Sequence, residues 1–177
     1  MFAATMMLLP GAIGATPLLQ PGSWSEPIQP FELSGPEGVV VQIETAEGWS
    51  AVKSLPLRMG LVVGRPYRLR VMQIPGHEGA ELFPTVQLLA RLDVPPGTAW
   101  RFPVEVVLAE DDVEEALQGG MIRRIIYSSL ECHESLAGGE DTFDVQPGED
   151  PLAVARELGD PVAEFVIGNR LPPTVSP

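Results

Sequence analysis

Alternating apolar and polar residues between positions 63 and 127 constrain the fold more than any other feature of the chain. One run, 67–72 (YRLRVM), alternates apolar residues with Arg68 and Arg70, which we expect to form a solvent-facing row. Similar runs follow at 85–94 (TVQLLARLDV) and 102–108 (FPVEVVL). A period of two is typical of strands with one buried face. The pattern predicts a mainly β fold, an antiparallel β-sandwich or a barrel-like domain.

Composition agrees with many short strands joined by tight turns. The 177 residues include 19 Pro and 18 Gly, and 45% are hydrophobic, which is enough for a real core. Residues 1–36 are interrupted by Pro so often that they predict an extended arm, with Trp24 and Phe31 as anchors onto the body. We expect the β-domain to cover 37–170 and the tail, 171–177, to fray.

Two short helices are predicted within the β-domain. For the first, 111–118, Asp111 is a suitable N-cap with Glu114 three residues later, and glycines follow the helix. For the second, 151–158, Asp150 is the expected N-cap and Pro151 occupies the first helical position.

The N-terminal run 2–15 (FAATMMLLPGAIGA) is apolar but too short to span a bilayer. It is similar to the apolar region of a secretory signal, although the usual positive charges are missing. One interpretation is export to the periplasm or cell surface. The alternative is a retained apolar arm that packs on another surface, in which case the protein could be cytoplasmic.

The net charge of −13, from 24 acidic and 11 basic residues, disfavours binding to nucleic acid and electrostatic attachment to anionic lipid. Acidic residues are concentrated in 131–150. That segment is interpreted either as a solvated loop or as a surface for a divalent cation or a basic partner.

Residues able to carry chemistry are few. His77 and Glu78 lie in a Gly-flanked loop, and Cys132, His133 and Glu134 are adjacent in sequence. Neighbours in sequence point in different directions, so neither group predicts a catalytic centre or a metal site. We therefore expect no cofactor, no metal and no enzymatic activity. The single cysteine also excludes an intrachain disulfide.

Several segments together resemble a group of exported proteins from planctomycete bacteria. They are 65–71 (RPYRLRV), 74–86 (IPGHEGAELFPTV), 95–97 (PPG), 101–104 (RFPV), 121–127 (MIRRIIY) and 148–152 (GEDPL), within a similarity that covers 57–170. The resemblance implies a β-domain at the envelope or cell surface and transfers no catalytic motif. The chain departs from the group at Ala109, where the group has a hydroxyl cap before its acidic helix.

A second, local resemblance links 145–152 (VQPGEDPL) and 155–159 (ARELG) to the opening of a lysin-motif module, which binds glycan. The remainder of such a module has no counterpart here.

These observations leave two functional interpretations. The first is a non-catalytic structural or interaction protein of the cell envelope, peripheral to the membrane or part of a larger assembly, with its protein partner held through the N-terminal arm. The second is a carbohydrate or cell-wall binding module that uses Trp49 or Trp100 to stack on sugar rings. His77 is a further candidate for interaction.

Overall fold

A computed structural model describes residues 27–128, 144–146 and 148–168. Within these residues the chain forms ten strands and two α-helices. They are β1 (Ile28–Ser34), β2 (Val40–Thr45), β3 (Gly48–Trp49), β4 (Lys53–Ser54), β5 (Leu57–Val62), β6 (Pro66–Met72), β7 (Thr85–Leu88), β8 (Val104–Val107), α1 (Glu110–Leu117), β9 (Met121–Ser128), α2 (Pro151–Leu158) and β10 (Asp160–Gly168).

The strands form two sheets, and the predicted mainly β fold is confirmed. One sheet has three strands in the order β5-β1-β8. The other has seven, in the order β3-β2-β6-β7-β10-β9, with β4 also paired to β2. The pairing of β1 with β8 is parallel, and the other pairings of the described strands are antiparallel. The sheets do not close into a barrel, so the sandwich alternative holds.

One apolar cluster joins the two sheets. The three-stranded sheet contributes Phe31 and Leu33, and the seven-stranded sheet contributes Leu69, Val86 and Phe165, all no more than 1% exposed. Helix α1 adds two buried side chains to the same cluster. This cluster is the core that the hydrophobic content of the chain predicts, and the removal of its apolar surface from water is the main source of stability.

The structure differs from the predicted N-terminal arm. Residues 28–34, assigned to the arm, form β1, the central strand of the three-stranded sheet, and Phe31 lies in the core with no exposed surface. Proline has no N–H to donate to a neighbouring strand. Pro30 is tolerated because β8 pairs only with Phe31–Ser34, so Pro30 has a neighbouring strand on one side only, that of β5. The remainder of the predicted arm, including Trp24, lies outside the described residues, as does the tail from 171 onward.

The helices flank β9 on opposite faces. Adjacent residues of a strand point to opposite sides of the sheet. Accordingly, Arg124 contacts Asp112 of α1, whereas Arg123 contacts Asp150 at the start of α2. Ala155 of α2 is buried but does not belong to the central cluster, so α2 covers the outer side of β9 and β10.

The prediction for the second helix is confirmed, and the prediction for the start of the first helix is wrong. Helix α2 has the predicted bounds, and the Asp150 side chain accepts a hydrogen bond from the Leu152 N–H. Helix α1 begins at Glu110, and its N-cap is Ala109, so the prediction of Asp111 as the cap is wrong. Asp111 lies instead in the first turn, where an acidic side chain favours the helix N-terminus.

Candidate functional site

The most prominent exposed aromatic side chain of the described residues is Trp100, which is 56% exposed. A turn before β8 carries it. The Thr98 hydroxyl donates to the Pro95 carbonyl at 2.6 Å, and Ala99–Arg101 then form one turn of 3-10 helix. The Pro95-Pro96-Gly97 sequence favours this turn; β7 has already ended at Leu88, earlier than the alternating run 85–94.

Gly60 allows the Trp100 indole to lie on the sheet. A Cβ atom at Gly60 would lie 2.8 Å from Cγ2 of Ile28 and 3.3 Å from Cη2 of Trp100. Both side chains therefore cover the glycine from the outer side of the three-stranded sheet. Phe102 ends the same turn and is 48% exposed, and Ile28 is 53% exposed. We call Ile28, Gly60, Trp100 and Phe102 the Trp100 surface.

A buried glutamine fixes this turn to the core. Gln29 is 1% exposed. Its side-chain carbonyl accepts from the Leu92 N–H at 3.1 Å, and its amide donates to the Phe102 carbonyl at 3.3 Å. The two bonds hold the loop before and after Trp100 against β1. Buried amides that are fully hydrogen-bonded in this way restrict a loop to one conformation.

An ion pair borders the Trp100 surface. Arg58 of β5 binds Glu32 of β1 across the outer side of the sheet, with an Nε–Oε2 distance of 2.6 Å. The same guanidinium donates to the Trp100 carbonyl at 3.1 Å. Arg58 is 48% exposed, so the pair adds little stability by itself. Its structural effect is to hold the Trp100 turn from the side opposite Gln29.

Trp49 lies on a different surface, the outer side of the seven-stranded sheet. It is half-buried and packs against Phe83 with ring centroids 6.2 Å apart. The Arg68 guanidinium lies over both rings, 5.7 Å from the Trp49 centroid and 5.5 Å from that of Phe83. Because these contacts use the indole face, Trp49 is less suited than Trp100 to stack on an external ring.

The arginines of β6 lie on the outer side of the sheet, as the alternation predicts, and they are also engaged in contacts there. Arg70 binds both carboxylate oxygens of Glu81, at 2.5 and 3.0 Å, and this hydrogen bonding raises the pKa of Arg70. Arg68 contacts Glu44 at 3.4 Å. Three strands, β1, β2 and β10, offer a carboxylate to an arginine of a neighbouring strand in this way.

A similar network joins β9, β10 and α2. Arg123 binds Glu164 at 2.5 Å and Asp150 at 2.9 Å, and these bonds raise the pKa of Arg123. The Leu152 N–H bond and then the Arg123 bond lower the pKa of Asp150. Asp150 thus serves both as helix cap and as ion-pair partner.

His77 lies in a loop beside α1. It is half-buried, its backbone N–H donates to the Ile74 carbonyl at 3.0 Å, and it lines a cleft of about 140 Å³ together with Glu110 and Glu114 of α1. No group of three or more His, Cys, Asp or Glu in the part of the chain that the structure describes could hold a metal ion. Cys132 and His133 fall outside that part.

The structure separates the candidates predicted from sequence. Phe31 is in the core, Trp49 and Trp100 lie on the outer sides of different sheets, and His77 lies beside α1. Sequence reasoning missed Gln29 and Gly60. The alternation of Gln29, Phe31 and Leu33 with outward residues was a usable signal for β1, but the Gly60 contact depends on strand pairing that no local pattern reports.

Comparison with known proteins supplies no relative: no protein-family model, no curated protein and no solved structure matches the chain. Among the helices of the described residues, neither α1 nor α2 has the length and apolar character needed to cross a bilayer.

Proposed function

We propose that this protein is a non-catalytic interaction protein of the cell envelope whose β-sandwich binds a protein partner through the Trp100 surface. The single observation that carries the proposal is the exposure of Ile28 and Trp100, each about half accessible, where they meet over Gly60 on one side of the three-stranded sheet; Phe102, 48% exposed, follows in the same turn. Contiguous exposed apolar groups with a polar border are typical of protein-binding surfaces.

The composition of the surface favours a protein as its partner. Tryptophan and arginine are the residues most enriched among those that dominate binding energy, and Trp100 is bordered here by Arg58. The turn is held by Gln29 before any partner arrives, so little ordering of the indole opposes binding. We expect the partner to present aliphatic side chains to the indole.

The envelope location is supported by the apolar run 2–15 and by the resemblance to exported planctomycete proteins. Fractionation of cells that express the full chain tests it directly. We expect the protein in the envelope fraction, and recovery entirely with cytoplasmic markers would contradict the location without affecting the proposed surface.

The binding proposal is tested with a photoactivatable phenylalanine analogue placed at Phe102 in the native host. The matched control is Val52, which is 55% exposed and lies in the segment between β3 and β4. We expect one dominant cross-linked partner from position 102 and none of comparable yield from position 52. The purified partner should then bind the full chain, and Trp100→Ala should weaken binding at least about 30-fold, as expected for a hot-spot tryptophan.

Equal cross-linking from both positions would show that position 102 has no special surface. Unchanged affinity of Trp100→Ala for the purified partner would likewise reject the proposal. Because Trp100 is more than half exposed, we expect the variant to fold, and its melting temperature serves as the check.

A second candidate function is glycan binding, and the same exposed indole favours it. A fixed aromatic ring beside the Arg58–Glu32 pair could stack on a sugar and hydrogen-bond its hydroxyls. Titration with soluble peptidoglycan fragments tests this function through tryptophan fluorescence. A saturable change that Trp100→Ala abolishes and Trp49→Phe preserves would favour glycan over protein as the ligand.

A further inference from the structure

A second feature of the molecule lies on the outer side of the other sheet. A groove of about 470 Å³ opens where β2 turns into β3 and where β6 begins. Its walls include two arginines, Arg65 and Arg68, and the hydroxyl-bearing residues Thr45 and Thr85. A volume of this size suits a small ligand.

Arg68 is held in place but incompletely paired. Its guanidinium is fixed over the rings of Trp49 and Phe83. Its hydrogen bond within the described residues is a single contact from Nη1 to Glu44 Oε1 at 3.4 Å, which is long for a charged pair. The buried Nε atom has no hydrogen-bond partner there. Because Nε is buried, a ligand cannot reach it, and the binding capacity that Arg68 retains lies at its terminal nitrogens, where a guanidinium can accommodate a carboxylate through two parallel bonds.

Arg65 adds a second positive charge to the groove. It is exposed, its guanidinium lies 5.6 Å from the Tyr67 ring centroid, and no carboxylate of the described residues is within ion-pair distance. Glu44 is the acidic residue of the groove wall. Two guanidiniums and one carboxylate therefore leave the groove with a net positive charge.

Arg91, Arg101 and Arg156 also have no carboxylate of the described residues at ion-pair distance, so the distinguishing feature of the groove is that two weakly paired guanidiniums share it. Arg58, Arg70, Arg123 and Arg124 each have a carboxylate oxygen at 2.6 Å or less. The chain has more than twice as many acids as bases. A positively charged groove in so acidic a molecule attracts anions locally while the remainder of the surface repels them.

We infer that this groove binds a carboxylate carried on a ring the size of one sugar, such as a uronic acid unit. The ligand carboxylate takes the terminal nitrogens of Arg68 in place of Glu44, and Arg65 neutralises its remaining charge. Thr85 lies in the same wall, where its hydroxyl can bond a ring hydroxyl, whereas the Thr45 hydroxyl already donates to the Gly48 carbonyl and accepts from the Glu47 N–H. The site does not depend on the Trp100 surface.

Isothermal titration of the full chain with D-glucuronate tests the inference, with glucose and acetate as separate titrants. We expect saturable binding of glucuronate, no binding of glucose, which lacks the charge, and weaker binding of acetate, which lacks the ring. Arg65→Gln and Arg68→Gln should each weaken glucuronate binding at least about 10-fold, the usual effect of losing a hydrogen bond to a charged group.

Arg91→Gln is the matched control, because Arg91 is exposed and does not line the groove. It and Trp100→Ala should leave glucuronate affinity unchanged, so this test stays separate from that of the proposed function. Arg65 is exposed, so Arg65→Gln remains informative if Arg68→Gln fails to fold. Absence of glucuronate binding, acetate binding of equal strength, or an equal loss in Arg91→Gln would each overturn the inference.

Discussion

Asp112 is the most buried charged group among the described residues, with 5% of its surface exposed. Both of its carboxylate oxygens accept from Arg124, each at 2.6 Å. Such bidentate pairs are stronger than single contacts and fix both side chains. The pair joins the first turn of α1 to β9.

Asp112→Ala should lower the free energy of unfolding by about 1–3 kcal/mol, because it leaves the guanidinium without its bidentate carboxylate. The loss stays below that of a fully buried pair, since the Arg124 side chain is 37% exposed. Urea denaturation measures the change. Asp111→Ala, at an exposed position in the same turn, should cost no more than about 0.5 kcal/mol. Equal losses would show that helix-terminus charge, rather than the pair, is responsible.

Asp150 gives the stability of the protein a specific dependence on pH. Its pKa is lowered in the folded state by the Leu152 N–H bond and by Arg123. A lowered carboxyl pKa stabilises the folded state above the unfolded pKa, and this stabilisation disappears as the pH falls through the folded pKa.

Asp150→Asn retains a side-chain oxygen for the cap but loses the charge that contacts Arg123. The variant should therefore be less stable than the natural protein at about pH 7, and the two should converge below the folded pKa of Asp150. Denaturation midpoints measured across this range provide the test. Asp144→Asn, at an exposed position, is the control. A stability difference that persists unchanged at low pH would contradict the role of the charge.

At the scale of elements, the two helices show what local sequence can and cannot predict. The start of α2 depends on Asp150 and Pro151, which are adjacent to it, and its bounds were predicted correctly. The start of α1 depends on tertiary contacts, namely the burial of Val113 and the contact of Asp112 with β9. These contacts place the N-cap at Ala109, two residues earlier than the Asp111–Glu114 spacing indicates, because burial outweighs a cap worth about 1 kcal/mol.

Ala109→Ser should stabilise the protein by about 1 kcal/mol. Ala109 has the extended backbone of an N-cap, φ −72° and ψ 150°, but no side chain that can bond the first turn. A serine hydroxyl would accept from an unpaired N–H of α1. Thermal denaturation measures the gain, and Ala153→Ser, at an exposed position inside α2, should instead be slightly destabilising. A loss of stability in Ala109→Ser would show that the Ala109 site has no room for a cap.

At the scale of the whole molecule, the fold class follows from the alternating strands, but the assembly of the sheets does not. The period-two pattern predicts which side of β6 or β8 is buried. It does not report that β1 pairs with both β5 and β8, since these partners are distant in sequence. The Trp100 surface depends on the same pairings, which place Gly60 beside Ile28. An exposed candidate such as Trp100 can be selected from sequence by its residue type, whereas Gln29 and Gly60, which hold it in place, cannot.

Because β1 is central, the body cannot be separated at residue 37. Phe31→Ala should lower the free energy of unfolding by about 3–5 kcal/mol, as large-to-small substitutions of buried phenylalanine do. A chain that starts at residue 37 should not fold, since it lacks the strand between β5 and β8. Denaturation followed by circular dichroism measures the loss of stability in Phe31→Ala, and amide chemical-shift dispersion shows whether the shortened chain folds. A well-folded chain starting at residue 37 would show that β1 is dispensable.

The position of β1 also affects how the protein is made. Ribosomes release this strand before either of its neighbours, and the parallel one, β8, is synthesised last of the three. Phe31 and Leu33 therefore stay exposed to solvent until β5 and β8 have been synthesised. During that interval they are exposed apolar side chains of the kind that chaperones bind.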